Sequence, residues 1–135
     1  MWHKWQANNI DKSFVNIERE TKKPIKIFGT KDFGGVNLKV LMALSNAQKI
    51  ELRQNINLEY QQINQLMKSK LPTNVYIDSQ AVICGSANTC RLFDNEANLL
   101  SFDGWHLTRA GAVYFGSKLS GDEQFKDLLG DSVIK

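Results

Sequence analysis

The chain has no apolar run approaching the roughly 18 residues that a membrane-spanning helix needs. Its first residues, Met1-Trp2-His3-Lys4-Trp5-Gln6, lack the apolar core of a signal peptide. It therefore carries no anchor or export signal that the sequence declares. Proline is scarce, at 2 residues, and glycine stands at 9 of 135, which excludes the composition of a disordered or fibrous chain. Histidine is limited to His3 and His106, so a four-ligand structural zinc site has little to draw on. A basic stripe is also missing: 17 Lys+Arg against 14 Asp+Glu give +3, scattered along the chain, with Lys22-Lys23 beside Arg19 and Glu20 as the one notable pair. Without a concentrated positive face and stacking aromatics, nucleic acid is not an expected partner. No internal repeat or low-complexity tract appears.

What remains is ordinary globular usage, 42% hydrophobic and 23% charged. A chain of this length hides roughly two thirds of its unfolded surface, enough for one core and a single domain over residues 1–135. Ile10, Phe14 and Ile17 recur at helical spacing and predict a short amphipathic helix over about residues 8–20, broken by Thr21 to Pro24. Ile25, Ile27 and Phe28, ended by Gly29, read as a buried strand that leads into the loop Thr30 to Gly35. Leu52, Ile56, Tyr60, Ile63 and Met67 repeat every three or four positions and predict one long helix from about Ala43 to Ser69. Leu71-Pro72-Thr73-Asn74 stops it, and Val75, Tyr76 and Ile77 start a second strand that extends or resumes near Val82 and Ile83. Cys84 to Leu100 is polar and irregular, with a small hairpin expected around Asp94-Asn95. Thr108 is placed to cap a last main helix with Ala112, Phe115 and Leu119 on one face, followed by a short amphipathic tail from Phe125 to Leu129.

Helix, strand, long helix, strand, helix is the rhythm of a parallel sheet layered by helices, an α/β fold. Two strands are few for a stable three-layer domain. The shortage points to a fragment, or to a half that pairs with another segment, including a second copy that would complete the sheet.

Chemistry concentrates at Asp103-Gly104-Trp105-His106-Leu107-Thr108, between a polar loop and a helix start. Connections of this kind can lie at the carboxyl edge of a sheet, where ligands bind. An Asp and a His three positions apart converge when the turn is tight, and Gly104 makes it easier. The Asp can then hold one ring nitrogen and leave the other as a general base. The competing explanation is that Asp103 is only a cap or turn residue. Trp105 is expected to pack on neighbouring loops, and Asp32 and Asp78 to be turn and surface carboxylates. Cys84 and Cys90 flank a short loop and admit a disulfide, a pair of free thiols, or a zinc site shared with His106.

The longer string Asp103-Gly104-Trp105-His106-Leu107-Thr108-Arg109-Ala110-Gly111-Ala112 resembles the Asp-x-x-His-Leu-Ser/Thr-x-x-Gly-Ala block that ends SGNH/GDSL-type hydrolase domains. It is most similar to the version fused to membrane-bound acyltransferases that O-acetylate bacterial surface sugars. Ile25 to Gly34 resembles that family's strand-plus-Gly segment and Phe-Gly loop; Cys84 and Cys90 resemble a cysteine pair of its periplasmic members; Trp2 or Trp5 is similar to a Trp after an earlier core strand. The resemblance covers nearly the whole chain, though only the terminal block is specific.

It implies the C-terminal portion of a partial three-layer α/β/α, flavodoxin-like domain with a small parallel sheet. It also implies catalytic roles for Asp103 and His106, a Gly111-Ala112 pair that lets a helix approach the sheet, and a periplasmic setting within a membrane-anchored parent. The parent's substrate would be an acyl ester or surface polysaccharide, and the chemistry would need no cofactor or metal. The family's Gly-Asp-Ser nucleophile block and its oxyanion Gly and Asn are not assignable here. Gly130-Asp131-Ser132 spells the nucleophile motif without a strand before it, which makes Ser132 a decoy. The expected function is therefore the Asp-His half of a serine esterase or O-acyltransferase, inactive alone, with a non-catalytic interaction or glycan-binding module as the alternative.

Overall fold

In the computed structural model, which describes residues 1–130, β1 (Ile27–Phe28) and β3 (Tyr76–Ile77) pair in parallel, Ile27 opposite Tyr76 and Phe28 opposite Ile77. The amides of Ile27 and Gly29 donate to Val75 and Ile77, each at 2.9 Å. Parallel strands need a long crossover. Here it contains α3 (Leu38–Met42), α4 (Asn46–Glu51), β2 (Arg53–Asn55) and α5 (Leu58–Lys70). β2 pairs antiparallel with β4 (Thr89–Arg91), Gln54 opposite Cys90. The result is a mixed α/β chain, about 51% helical, with two ladders of two strands each. No helix among the described residues is long and apolar enough to cross a membrane.

Two apolar clusters form. In one, Ala7 of α1 (Lys4–Asn8) and Ile10 and Phe14 of α2 (Ile10–Thr21) meet Ile63 and Met67 of α5 and Tyr76 of β3. In the other, Phe33, Ile56, Leu92, Phe93 and Leu100 pack with Ile83 of α6 (Ser79–Cys84), and Tyr114 and Phe115 of α7 (Arg109–Ser120) close over them. Complete burial of one such side chain contributes roughly 1.5–3 kcal/mol, so neither cluster tolerates a polar replacement.

The long helix expected from Ala43 to Ser69 is interrupted. Ser45 and Gln48 form a capping box at the start of α4, the chain extends at Leu52 into β2, and the Asn57 side chain caps α5 by accepting from Glu59 at 2.9 Å. The helical spacing of Leu52, Ile56 and Ile63 is misleading because Ile56 serves one core and Ile63 the other. The Arg53 guanidinium fixes the extended stretch by donating to Cys84 O at 2.6 Å and Thr89 O at 3.1 Å. Val82 and Ile83 are helical rather than extended: Asp78 caps α6 by accepting from Ala81 N at 3.0 Å, and Gly85 ends it at φ 64°.

At the N-terminus, α2 buries Ile10 and Phe14 while Ile17 stays 47% exposed. At the other end α7 starts after Thr108, whose hydroxyl accepts from Gly111 N at 3.0 Å. Its packed face runs through Gly111, Tyr114 and Phe115, and Ala112 points outward. A bridge between Phe93 and Leu99 forms the hairpin around Asp94-Asn95, and α8 (Glu123–Leu129) ends the described chain.

Cys84 and Cys90 are joined by a disulfide with Cα atoms 4.7 Å apart, tying the end of α6 to β4. The free-thiol and zinc alternatives lose their thiolates. Because the bridge closes a loop with a sequence separation of 6, it restricts the unfolded chain by about 2 kcal/mol. The Cys84→Ser/Cys90→Ser double variant should therefore unfold at lower urea, with a loss of about that size in a denaturation curve.

Candidate active site

The turn Ser101 to His106 is built around one carboxylate. Asp103 Oδ1 accepts from the amides of Trp105 at 2.9 Å and His106 at 2.8 Å, and Oδ2 meets His106 Nδ1 at 2.6 Å. Ser101, fully buried, accepts from Gly104 N at 2.9 Å and closes the turn from beneath. Gly104 sits at φ +90°, and a Cβ there would come within 2.5 Å of Gly34 O, so no other residue fits without movement. Phe33 N donates to Gly104 O at 3.0 Å across the same contact. Gly111 plays a parallel part on α7: a Cβ would collide with the carbonyl of Leu100, so its absence lets the helix lie against the segment that enters the turn.

The loop after β1 carries this turn. Asn64 on α5 brackets Thr30, accepting from its amide at 2.8 Å and donating to its carbonyl at 3.0 Å. Gln80 on α6 does the same for Asp32, at 2.7 and 2.9 Å. Two buried side-chain amides thus supply the hydrogen bonds that neighbouring strands would give. Asp32 is not a surface residue as expected: it is 3% exposed, and its carboxylate accepts from Asn57 N at 2.7 Å and Gly34 N at 3.2 Å. Asp78 is the α6 cap and takes no part in the site.

Lys31, between the two clamped residues, reaches the turn and donates to Trp105 O at 2.6 Å. Burial pulls its pKa below the ordinary lysine value, opposed by the nearby charge of Asp103. The Asp103 carboxyl is held well below the usual carboxylate range, first by its bond to the His106 ring and then by the two backbone donors. A carboxylate at Nδ1 favours a proton on that nitrogen and leaves the Nε2 lone pair to act as a base.

The His106 side chain is 74% exposed, with Phe102 stacked alongside at 6.1 Å between ring centroids. It opens onto a cleft of about 590 Å³ lined by Trp2, Phe28, Lys31, Ser79, Trp105 and Phe115 among others. Trp105 does not simply pack: it is 44% exposed on the cleft wall. Trp2 donates from Nε1 to Phe28 O at 2.7 Å, whereas Trp5 is on the surface.

Asp103 and His106 are therefore brought together, and the two hydroxyl residues of the cleft, Thr30 and Ser79, are buried with no hydrogen bond to His106. Ser132 lies outside the described residues. Lys31, Asp32, Ser101, Asn64 and Gln80 were not singled out from sequence as parts of this site. The contacts of Lys31, Asn64 and Gln80 span up to 74 positions and leave no local pattern, whereas Ser101 acts on Gly104 only three residues on. Comparison with family models, curated proteins and solved structures returns no match.

Two outcomes follow from these contacts. Replacing Asn64 by Leu should strip both partners from Thr30 and cost about 2–4 kcal/mol in urea unfolding, as expected for buried unsatisfied backbone groups. Because the Asp103 pKa is depressed on folding, its contribution is present above the ordinary carboxylate pKa and is lost as pH falls toward the folded value. The urea midpoint of the native chain should accordingly fall on acidification below about pH 4, and Asp103→Asn should flatten that fall.

Proposed function

We propose that the chain is the acid–base half of an SGNH-type serine esterase or O-acyltransferase acting on acetyl-like esters of surface sugars, with its nucleophile supplied by a segment other than residues 1–135. The observation that carries this reading is the Asp103–His106 couple at 2.6 Å, with the ring presented to an open cleft. An Asp serving only as a turn cap would need its backbone donors alone. Here the second oxygen is given over to the imidazole.

In this function His106 Nε2 takes the proton of an attacking hydroxyl as its oxygen adds to the acyl carbonyl. It then returns the proton to the departing oxygen, while Asp103 stabilises the imidazolium in between. The parallel pair β1–β3 and the helix seated at Gly111 are what a partial flavodoxin-like, three-layer sheet would require. The disulfide suits an oxidising compartment such as the periplasm. Strand addition by a second copy is less well supported, because on the free edge of β1 the Phe28 carbonyl is already taken by Trp2.

The test supplies the hydroxyl in trans. Trifluoroethanol added with p-nitrophenyl acetate should accept the acyl group in a reaction catalysed by the chain, and His106→Ala and Asp103→Asn should each lower it by at least about ten-fold, against the roughly 10²–10⁴-fold that a positioned general base contributes. Ser132→Ala should leave it unchanged, and a serine-directed phosphonate should leave Ser132 unlabelled. Equal transfer by all variants would reduce Asp103 to a turn cap; labelling of Ser132 with loss of activity would place the nucleophile within the chain.

A further inference from the structure

Among the described residues, the cleft beside His106 is walled by aromatic rings, and its one cationic side chain is that of Lys31, with no carboxylate in the lining. Its lining residues include Trp2, Phe28, Trp105 and Phe115, and its charged or titratable side chains are Lys31 and His106. Lys31 forms no salt bridge among the described residues. Its ammonium has three donors and gives one to Trp105 O. The acid that acts on it electrostatically is Asp103, and both oxygens of that group are committed in hydrogen bonds, one to the His106 ring and the other to two backbone amides. The neighbouring carboxylate Asp32 is turned away, bonded to Asn57 and Gly34.

A half-buried ammonium with spare donors, within salt-bridge reach of no carboxylate among the described residues, favours an anionic ligand group. The exposed indole of Trp105 offers an apolar face next to it, and a volume of about 590 Å³ is within the range of small-ligand sites. Resting on the sugar-ester function proposed above, we infer that the cleft selects an acidic sugar: its carboxylate binds Lys31, its ring lies on Trp105, and its esterified hydroxyl faces His106. Lys31 is in this scheme the residue that sets substrate charge. Because its Trp105 bond holds the turn at the same time, ligand binding and alignment of the catalytic pair share one side chain.

Calorimetric titration of the full chain with a galacturonate tetramer, a galactose tetramer and inorganic phosphate tests this. The acidic sugar should bind at least about ten-fold more tightly than the neutral one, consistent with a charge-assisted contact. Lys31→Met should erase that preference, Lys31→Arg should keep it, Trp105→Ala should weaken both sugars, and phosphate alone should bind negligibly. If Lys31→Met disturbs the turn, the native chain gives the same answer through salt: galacturonate affinity should fall with ionic strength while galactose affinity stays flat. Equal binding of the two sugars, absence of galacturonate binding, a preference that survives Lys31→Met, or phosphate binding as tight as the sugar acid would each overturn it. No ester turnover is read, so failure here leaves the acyl-transfer reading standing, and failure of transfer to trifluoroethanol leaves a binding result intact.

Discussion

Two buried carboxamides hold the site in place. Asn64 and Gln80 reach from different helices to opposite ends of the Thr30–Asp32 loop and close both the donor and the acceptor of one residue each. A loop at the end of a two-residue strand has few backbone partners of its own, and buried peptide groups without partners are costly. With the clamps in place, Phe33 and Gly34 form a floor on which Gly104 rests, and Lys31 is aimed at Trp105. The Asp103–His106 pair is thus fixed through backbone contacts far from it in sequence.

That arrangement orients a base without completing a catalytic centre. Both oxygens of Asp103 are occupied, the imidazole has one nitrogen held and one presented to the cleft, and no described hydroxyl hydrogen-bonds to it. An exposed imidazole gains little driving force from water alone. In the function proposed above, its value would lie in being pre-aligned for a nucleophile delivered to the same cleft, where orientation rather than acidity supplies the advantage.

Local chemistry in the sequence was legible where one residue decides one feature. The Thr108 cap, Gly104 in the tight turn and the Asp103–His106 spacing all follow from side-chain types at fixed offsets, whereas Gly111 under the helix was expected from the resemblance alone. The long helix failed because apolar spacing says that residues are buried, not in which core: Ile56 and Ile63 keep helical spacing while facing different clusters. The capping box at Ser45 and the Asn57 cap were the local signals that outweighed it. Asp32, Asn64 and Gln80 were illegible for another reason, since a polar residue in the sequence does not announce the distant backbone group it will satisfy.

The central claim is that Asp103 sets the tautomer of His106 so that Nε2 is the basic nitrogen. The most direct measurement is ¹⁵N NMR of the imidazole near neutral pH in the native chain. In its neutral form the ring should carry its proton on Nδ1, with Nε2 showing the shift of an unprotonated nitrogen. A neutral ring protonated at Nε2, or one averaging between tautomers, would mean that the Asp103 contact does not order the imidazole and that the pair is no catalytic couple.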